Sequence, residues 1–299
     1  MVRRHLIEMC ALLLRSSKQE AFPFLRRPPS VTVSEAGCDT QLGGNVSEFQ
    51  VSTSEMPATP AYRPDSLSGK SLPGTSFAGA QLVGADFRDC DLSIADFRGA
   101  MLDRANFDGA DLSGAQFLDA SLRGASFSDS RLLYVRFTGA RLDDAGFTRA
   151  FMHHADLTNV TAPNARFTWA RLMHATVRGA KCPGADFTGA TLRFADCRGA
   201  DLSYATLEFA EAPVSKLANA SLRGALVIST NLDGATLAGA DLTGASFGRT
   251  ILTNCVDLDR AIGLASISHL APSAIDVVSF ERLRALLPAA FVAGVGIAP

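Results

Sequence analysis

The sequence has no CxxC pair and no cysteine with a histidine at zinc-finger spacing, which removes the usual structural-zinc and dithiol motifs. It has no uninterrupted apolar run of about 18 residues, so no transmembrane helix is expected. GxGxxG, P-loop and HExxH patterns are all missing, and with them common signatures of nucleotide and metalloprotease chemistry. Charge of one sign is missing too. A net charge of −2 and a pI near 6.2 give no general reason to bind nucleic acid or an anionic membrane.

What is present divides the chain into unlike parts. Residues 1–65 carry a short apolar run from Leu6 to Leu14, within a helical run Leu6–Arg15, and then Ser, Thr, Gln, Gly and scattered prolines such as Pro23, Pro28, Pro57 and Pro64. The run follows Arg3 and Arg4 as an export signal would, but Glu8 interrupts it and no small-x-small cleavage site follows. Beyond a short helix, this segment lacks the apolar content to offset chain entropy and is expected to be disordered.

From Leu67 the pattern changes. Taking the large apolar residue of each unit as position i, the series runs Leu67, Leu72, Phe77, Leu82, Phe87, Leu92, always five apart, to Leu252. Two places before it stands a small residue: of the 34 such positions from 80 to 245, 28 are Ala. The exceptions are Cys90, Ser130, Val135, Val160, Ser215 and Thr230. A period of five fits neither a helix nor a flat strand, so repetition has to be read before secondary structure. One large and one small apolar residue point inward per unit; Gly is frequent at i+2, as in Gly79, Gly99 and Gly109, where a type II turn needs positive φ. Cys90, Cys182, Cys197 and Cys255 fall at inward positions and read as buried thiols, which suits a reducing compartment.

Units such as Ala95-Asp96-Phe97-Arg98-Gly99 and Ala110-Asp111-Leu112-Ser113-Gly114 resemble the A(D/N)LxG units of pentapeptide-repeat proteins over about 190 residues. The resemblance implies an all-β fold, a right-handed quadrilateral β-helix in which four units make one square coil of twenty residues. It implies three parts: the N-terminal segment 1–65, a solenoid of about nine coils over 66–257, and a C-terminal cap over 258–299. The cap is expected to hold one amphipathic helix, from Val277, Phe280, Leu283 and Leu287 at helical spacing with Pro288 after them. The tail from Asp257 loosely resembles the segment after the repeats in some pentapeptide-repeat signalling proteins that carry TIR domains. Asp at i−1 (Asp86, Asp91, Asp96, Asp111, Asp186, Asp201, Asp241) recurs all round the rod as the family's pattern requires, so these carboxylates are expected to be structural.

Stepping by twenty tests the square coil. Phe87, Phe107, Phe127, Phe147, Phe167 and Phe187 form one inward column, and Phe77, Phe97, Phe117 and Phe137 the opposite one. The same step applied outside gathers Leu133, Tyr134, Phe151, His153, His154, Met173, His174 and Phe194 on one face, rimmed by Arg131, Arg171 and Arg193. Trp169 and Phe209 are expected to stack near a neighbouring edge. A contiguous patch of this composition reads as a protein-contact or self-association surface. His153, His154 and His174 could be metal ligands, but they lack a further partner at a defined spacing and are read as exposed polar aromatics. Charge is segmented along the rod: nine acids and four bases from Ala85 to Asp129, ten bases and five acids from Ser130 to Ala200, six acids and three bases over 201–257.

No catalytic, cofactor or metal site emerges, and no enzyme activity is expected. The expected function is a non-enzymatic protein-interaction scaffold in the bacterial cytoplasm, with another protein or a second copy as partner. Two other readings stand beside it. The resemblance includes DNA mimics that protect type II topoisomerase (gyrase) from poisons, although that role needs a strongly acidic rod. The third is a secreted effector exported by residues 1–65.

Overall fold

The pentapeptides fold alike because three of their backbone amides repeat one pattern of hydrogen bonds between coils and a fourth closes the turn. In the unit centred on Leu92, the Asp91 amide donates to the Lys70 carbonyl of the preceding coil at 2.9 Å. The Leu92 and Ile94 amides donate to Asp111 and Ser113 of the following coil at 2.7 and 2.8 Å. The Ala95 amide closes a turn onto the Leu92 carbonyl at 3.0 Å. That leaves the amide at i+1, and the Asp91 carboxylate accepts it, from Ser93 at 3.1 Å. An orphan donor would cost about 1–3 kcal/mol if desolvated, so the recurring Asp or Asn at i−1 is a structural cap. Asn106 and Asn231 do the same work without charge.

The turn sets φ at i+2 to positive values throughout, at Gly79 and Gly99 and equally at Asp89, Tyr134 and Trp169. Four such corners return the chain above itself twenty residues later, with parallel bridges such as Asp91↔Asp111, Asp96↔Gln116 and Arg131↔Phe151. The result is a right-handed all-β solenoid. This computed structural model describes residues 67–285 and 287–295; the N-terminal segment and its expected short helix lie outside the described residues.

The interior is a set of ladders. Phe87 through Phe187 stack at 4.8–4.9 Å, one ring per coil. Phe77, Phe97, Phe117 and Phe137 stack likewise on the opposite wall, and the two columns meet edge to face, as Phe97 and Phe107 do at 5.7 Å. Cys90, Cys182, Cys197 and Cys255 are free and buried. Burial raises the Cys182 and Cys197 thiols to about 12, so neither supplies thiolate at neutral pH.

The C-terminal end departs from the expectation in two ways. The five-residue period stops at Asp257, yet the winding does not. Asp241 pairs with Ile262, Ser246 with Ser268 and Ile251 with Ala274, so the coil continues with one, two and then three residues added to the step of twenty. Strands β1 (Leu226–Ile228), β2 (Ser246–Gly248) and β3 (Ser268–His269) lie parallel in this last wall. The cap is two short helices in place of the single one: α1 (Val277–Leu283) and α2 (Ala289–Gly294), divided around Pro288, which caps α2. Val277 is 75% exposed, so it does not share the buried face of Phe280. Asp276 ties α1 to the rod, accepting the Ser279 amide and the Asn254 amide at 2.7 Å each. Hydrogen bonds from Ser279 and then Asn254 hold its carboxyl down to about 2.

Candidate interaction face

The candidate residues come from four consecutive passes of the chain along one wall: Arg131 to Tyr134, Phe151 to His154, Arg171 to His174 and Thr191 to Phe194. In each pass the second residue is buried (Leu132, Met152, Leu172, Leu192) and the other three face outward. Parallel bridges Arg131↔Phe151, Phe151↔Arg171 and Arg171↔Thr191 fix the register between passes. The face inferred from the twenty-residue step is therefore contiguous.

Its corner carries a second aromatic ladder, outside the rod. Tyr134 stacks on His154 at 4.8 Å, His154 on His174 at 5.0 Å and His174 on Phe194 at 4.9 Å, with interplanar angles from 2° to 15°. All four residues sit at positive φ, between 55° and 59°. Bulky residues pay about 1–2 kcal/mol there relative to the ordinary right-handed region, and Gly114 and Gly234 occupy the same corner on either side of the aromatic series. Stacking, at about 0.5–1.5 kcal/mol per pair, offsets much of that strain. Behind the ladder, the Arg171 guanidinium lies 4.7 Å over the Phe151 ring and that of Arg193 5.1 Å over Phe194. Arg131 has a 3.6 Å ion pair with Asp111. Leu133, His153 and Met173 fill the strip between and are half-buried.

Burial lowers the pKa of His153, reinforced by Arg171, His154 and His174; His154 is lowered by burial and then by His174. Both imidazoles are held toward the neutral form. Among the described residues no group of three or more His, Cys, Asp or Glu side chains is placed to hold a metal ion.

Trp169 stands 57% exposed on the next corner. It does not stack with Phe209, because the two are separated by the intervening coil. The Trp ring instead lies across Gly189, where even a Cβ would approach it to 2.4 Å. Tyr204, 71% exposed and laid over Gly224 in the same manner, was not legible as a surface feature, since its column holds no other aromatic residue. No described helix is long and apolar enough to cross a membrane.

The family model described as pentapeptide repeats (8 copies) matches residues 66–93, 94–129, 120–159, 136–172, 152–181, 170–208 and 215–256. No curated protein matches the chain. Among solved structures, HetL, a pentapeptide repeat protein involved in heterocyst differentiation regulation in the cyanobacterium Nostoc, is 26% identical, covering 68% of this chain and 86% of its own, with a TM-score of 0.36. A trypsin-treated form of QnrB1, a plasmid-mediated fluoroquinolone resistance protein, is 19% identical over 77% of this chain and 97% of its own, at 0.35. A pentapeptide repeat protein of the Arabidopsis thaliana thylakoid lumen is 32% identical over 42% of this chain and 70% of its own, at 0.19. With the period, the corner turns and the family match in agreement, the chain belongs to the pentapeptide-repeat family.

Proposed function

We propose that this repeat scaffold acts without catalysis, as a rigid rod that presents the wall from Arg131 to Phe194 to another protein. The observation that carries the reading is the external ladder of Tyr134, His154, His174 and Phe194. Glycine would serve the turn at each of these corners, and elsewhere in the same column it does. Four successive large rings, backed by two arginines that lie over phenylalanines, have the composition of an interface core. A rod of hydrogen-bonded coils holds such a surface with little conformational entropy left to lose on binding.

The test is capture by the full-length chain and by a Tyr134→Glu/Phe194→Glu variant, with mass spectrometry of the bound proteins. A partner held by the parent chain and lost from the variant, at unchanged thermal stability, is the expected outcome. Equal capture by both would overturn the reading. A topoisomerase-directed role finds less support, because imitation of duplex DNA calls for a phosphate-like acidic surface and the middle of this rod is basic.

A further inference from the structure

On this wall the cap is missing from four successive units, and those four are the aromatic stretch. Following the i+1 position up the wall, Ser93 and Ser113 have their amides accepted by Asp91 and Asp111 at 3.1 and 3.0 Å. Higher up, Pro213 has no amide hydrogen, and the Asp233 amide is accepted by Asn231 at 3.0 Å. Between them come Leu133, His153, Met173 and Arg193. The residues two places before these are Arg131, Phe151, Arg171 and Thr191, none of which offers a carboxylate or amide oxygen. Within the described residues, none of these four amides donates a hydrogen bond. On the neighbouring wall the uncapped amides of Thr148 and Thr168 form a shorter run, flanked by capped ones at Ser128 and Thr188. The capping of Ser93 from the surface by Asp91 shows that the i+1 amide points where a carboxylate outside the backbone reaches it.

The side chains on the same four passes are donors as well. Three arginines and three histidines are present and no carboxylate. The stacked rings of the ladder have their faces occupied by one another, so they present their edges, where the aromatic quadrupole is positive. Amides, guanidinium groups, imidazoles and ring edges all seek the same complement.

We propose that this wall binds an acidic segment of another protein, whose carboxylates take the place of the absent Asp at i−1 and accept the amides of Leu133, His153, Met173 and Arg193. The proposal rests on the contact-surface reading above and names the chemistry of its partner. A second copy of this chain is a poorer occupant, because a twofold contact would set arginine against arginine with no acid between. Single-stranded nucleic acid is poorer too, because base stacking needs open ring faces.

The experiment measures binding of a fluorescent peptide of alternating glutamate and leucine to the full-length chain, beside a counterpart with glutamine for glutamate. The glutamate peptide should bind at least about tenfold more tightly. Amide resonances of Leu133, His153, Met173 and Arg193 should shift on titration. Phe151→Asn supplies a neutral cap in cis, as Asn106 and Asn231 do, and should weaken binding by about tenfold relative to Phe151→Leu, which loses the same ring and leaves the amide open. Arg171→Glu should weaken it further. Thermal melts of each variant separate binding loss from unfolding. Equal binding of the two peptides, no binding of either, equal behaviour of Phe151→Asn and Phe151→Leu, or tighter binding of oligothymidylate would each overturn the proposal. So would a concentration-dependent dimer broken by the same substitutions. Should the glutamate and glutamine peptides bind alike while Tyr134→Glu/Phe194→Glu still loses its captured protein, the contact surface stands and its acidic preference falls.

Discussion

The coils up to Phe147 and those beyond Phe187 share one backbone and differ in what fills it. In the first group two phenylalanine columns face each other, so that Phe127 stacks on Phe107 and Phe147 and meets Phe117 and Phe137 edge-on. In the second, the corresponding columns pass through Cys197, Leu217 and Leu237 on one wall and Leu207 and Val227 on the other, until Phe247 closes the series. Leu192, Cys197, Leu207, Ser215, Leu217 and Val227 line a cavity of about 20 Å³ there. Polar side chains enter the interior at three alanine positions here, Ser215, Thr230 and Thr250, against Ser130 alone in the first group. The backbone hydrogen bonds run on unchanged through both groups, as from Leu92 to Asp111 and from Leu232 to Ile251. The ladder of amides defines the coil, whereas the side-chain columns decide how strongly it resists opening.

Five substitutions and one change of pH press on that difference. The largest effect is expected at Phe127→Ala, which removes a fully buried ring from four aromatic contacts and should cost about 3–5 kcal/mol. Leu207→Ala, beside the cavity, should cost nearer 2 kcal/mol. Equal losses in denaturant titrations would show that the two halves do not differ in packing. Next come the buried hydroxyls, which should change stability in opposite directions. Ser215 Oγ is buried without a hydrogen-bond partner among the described residues, whereas Thr230 Oγ1 donates to the Leu207 carbonyl at 2.6 Å. Ser215→Ala should gain about 1 kcal/mol and Thr230→Val lose about as much, read from the shift in unfolding midpoint.

The smallest effect is one of pH. His269 sits between Phe247 and Phe291 at 6.4 and 5.6 Å, against Gly294, with neither ring nitrogen paired among the described residues. Burial alone lowers its pKa, and His153 and His154 are lowered as well. A base with a folded pKa below its unfolded value, about 6.5, contributes stability that is present above that value. The contribution is lost as pH falls through the folded pKa. The carboxylates that the fold depresses, such as Asp96 and Asp156, weaken the protein only below the ordinary carboxylate range. Melting temperature should therefore drop between pH 7.5 and 5, and His269→Leu should flatten that slope. An unchanged slope would remove His269 from the account.

The solenoid was legible because five-residue periodicity has no helical or flat-strand competitor, and the step of twenty alone places Tyr134, His154, His174 and Phe194 on one corner. Other features were not legible, for physical reasons. The Asp at i−1 shows in the sequence as a recurring letter, but its task of capping the i+1 amide is a matter of geometry, and so is the gap that Arg131, Phe151, Arg171 and Thr191 leave. The run-on of the coil to Ala274 was hidden because added residues destroy the period while the amide pairing tolerates them. Val277 failed as a core marker because α1 is too short for its spacing to fix which side is buried.

The self-contained bonding of the pentapeptide has a consequence for how such a chain changes length. A deletion of twenty residues removes one storey, and every wall above keeps its compass direction. A deletion of five leaves each inward residue inward and each amide with a neighbour, yet turns everything beyond it by a quarter circle about the axis. Surface columns can thus be re-aimed against one another by small insertions and deletions that the interior scarcely registers. In this chain such a cut between His154 and His174 would break the external ladder into two pairs on adjacent corners.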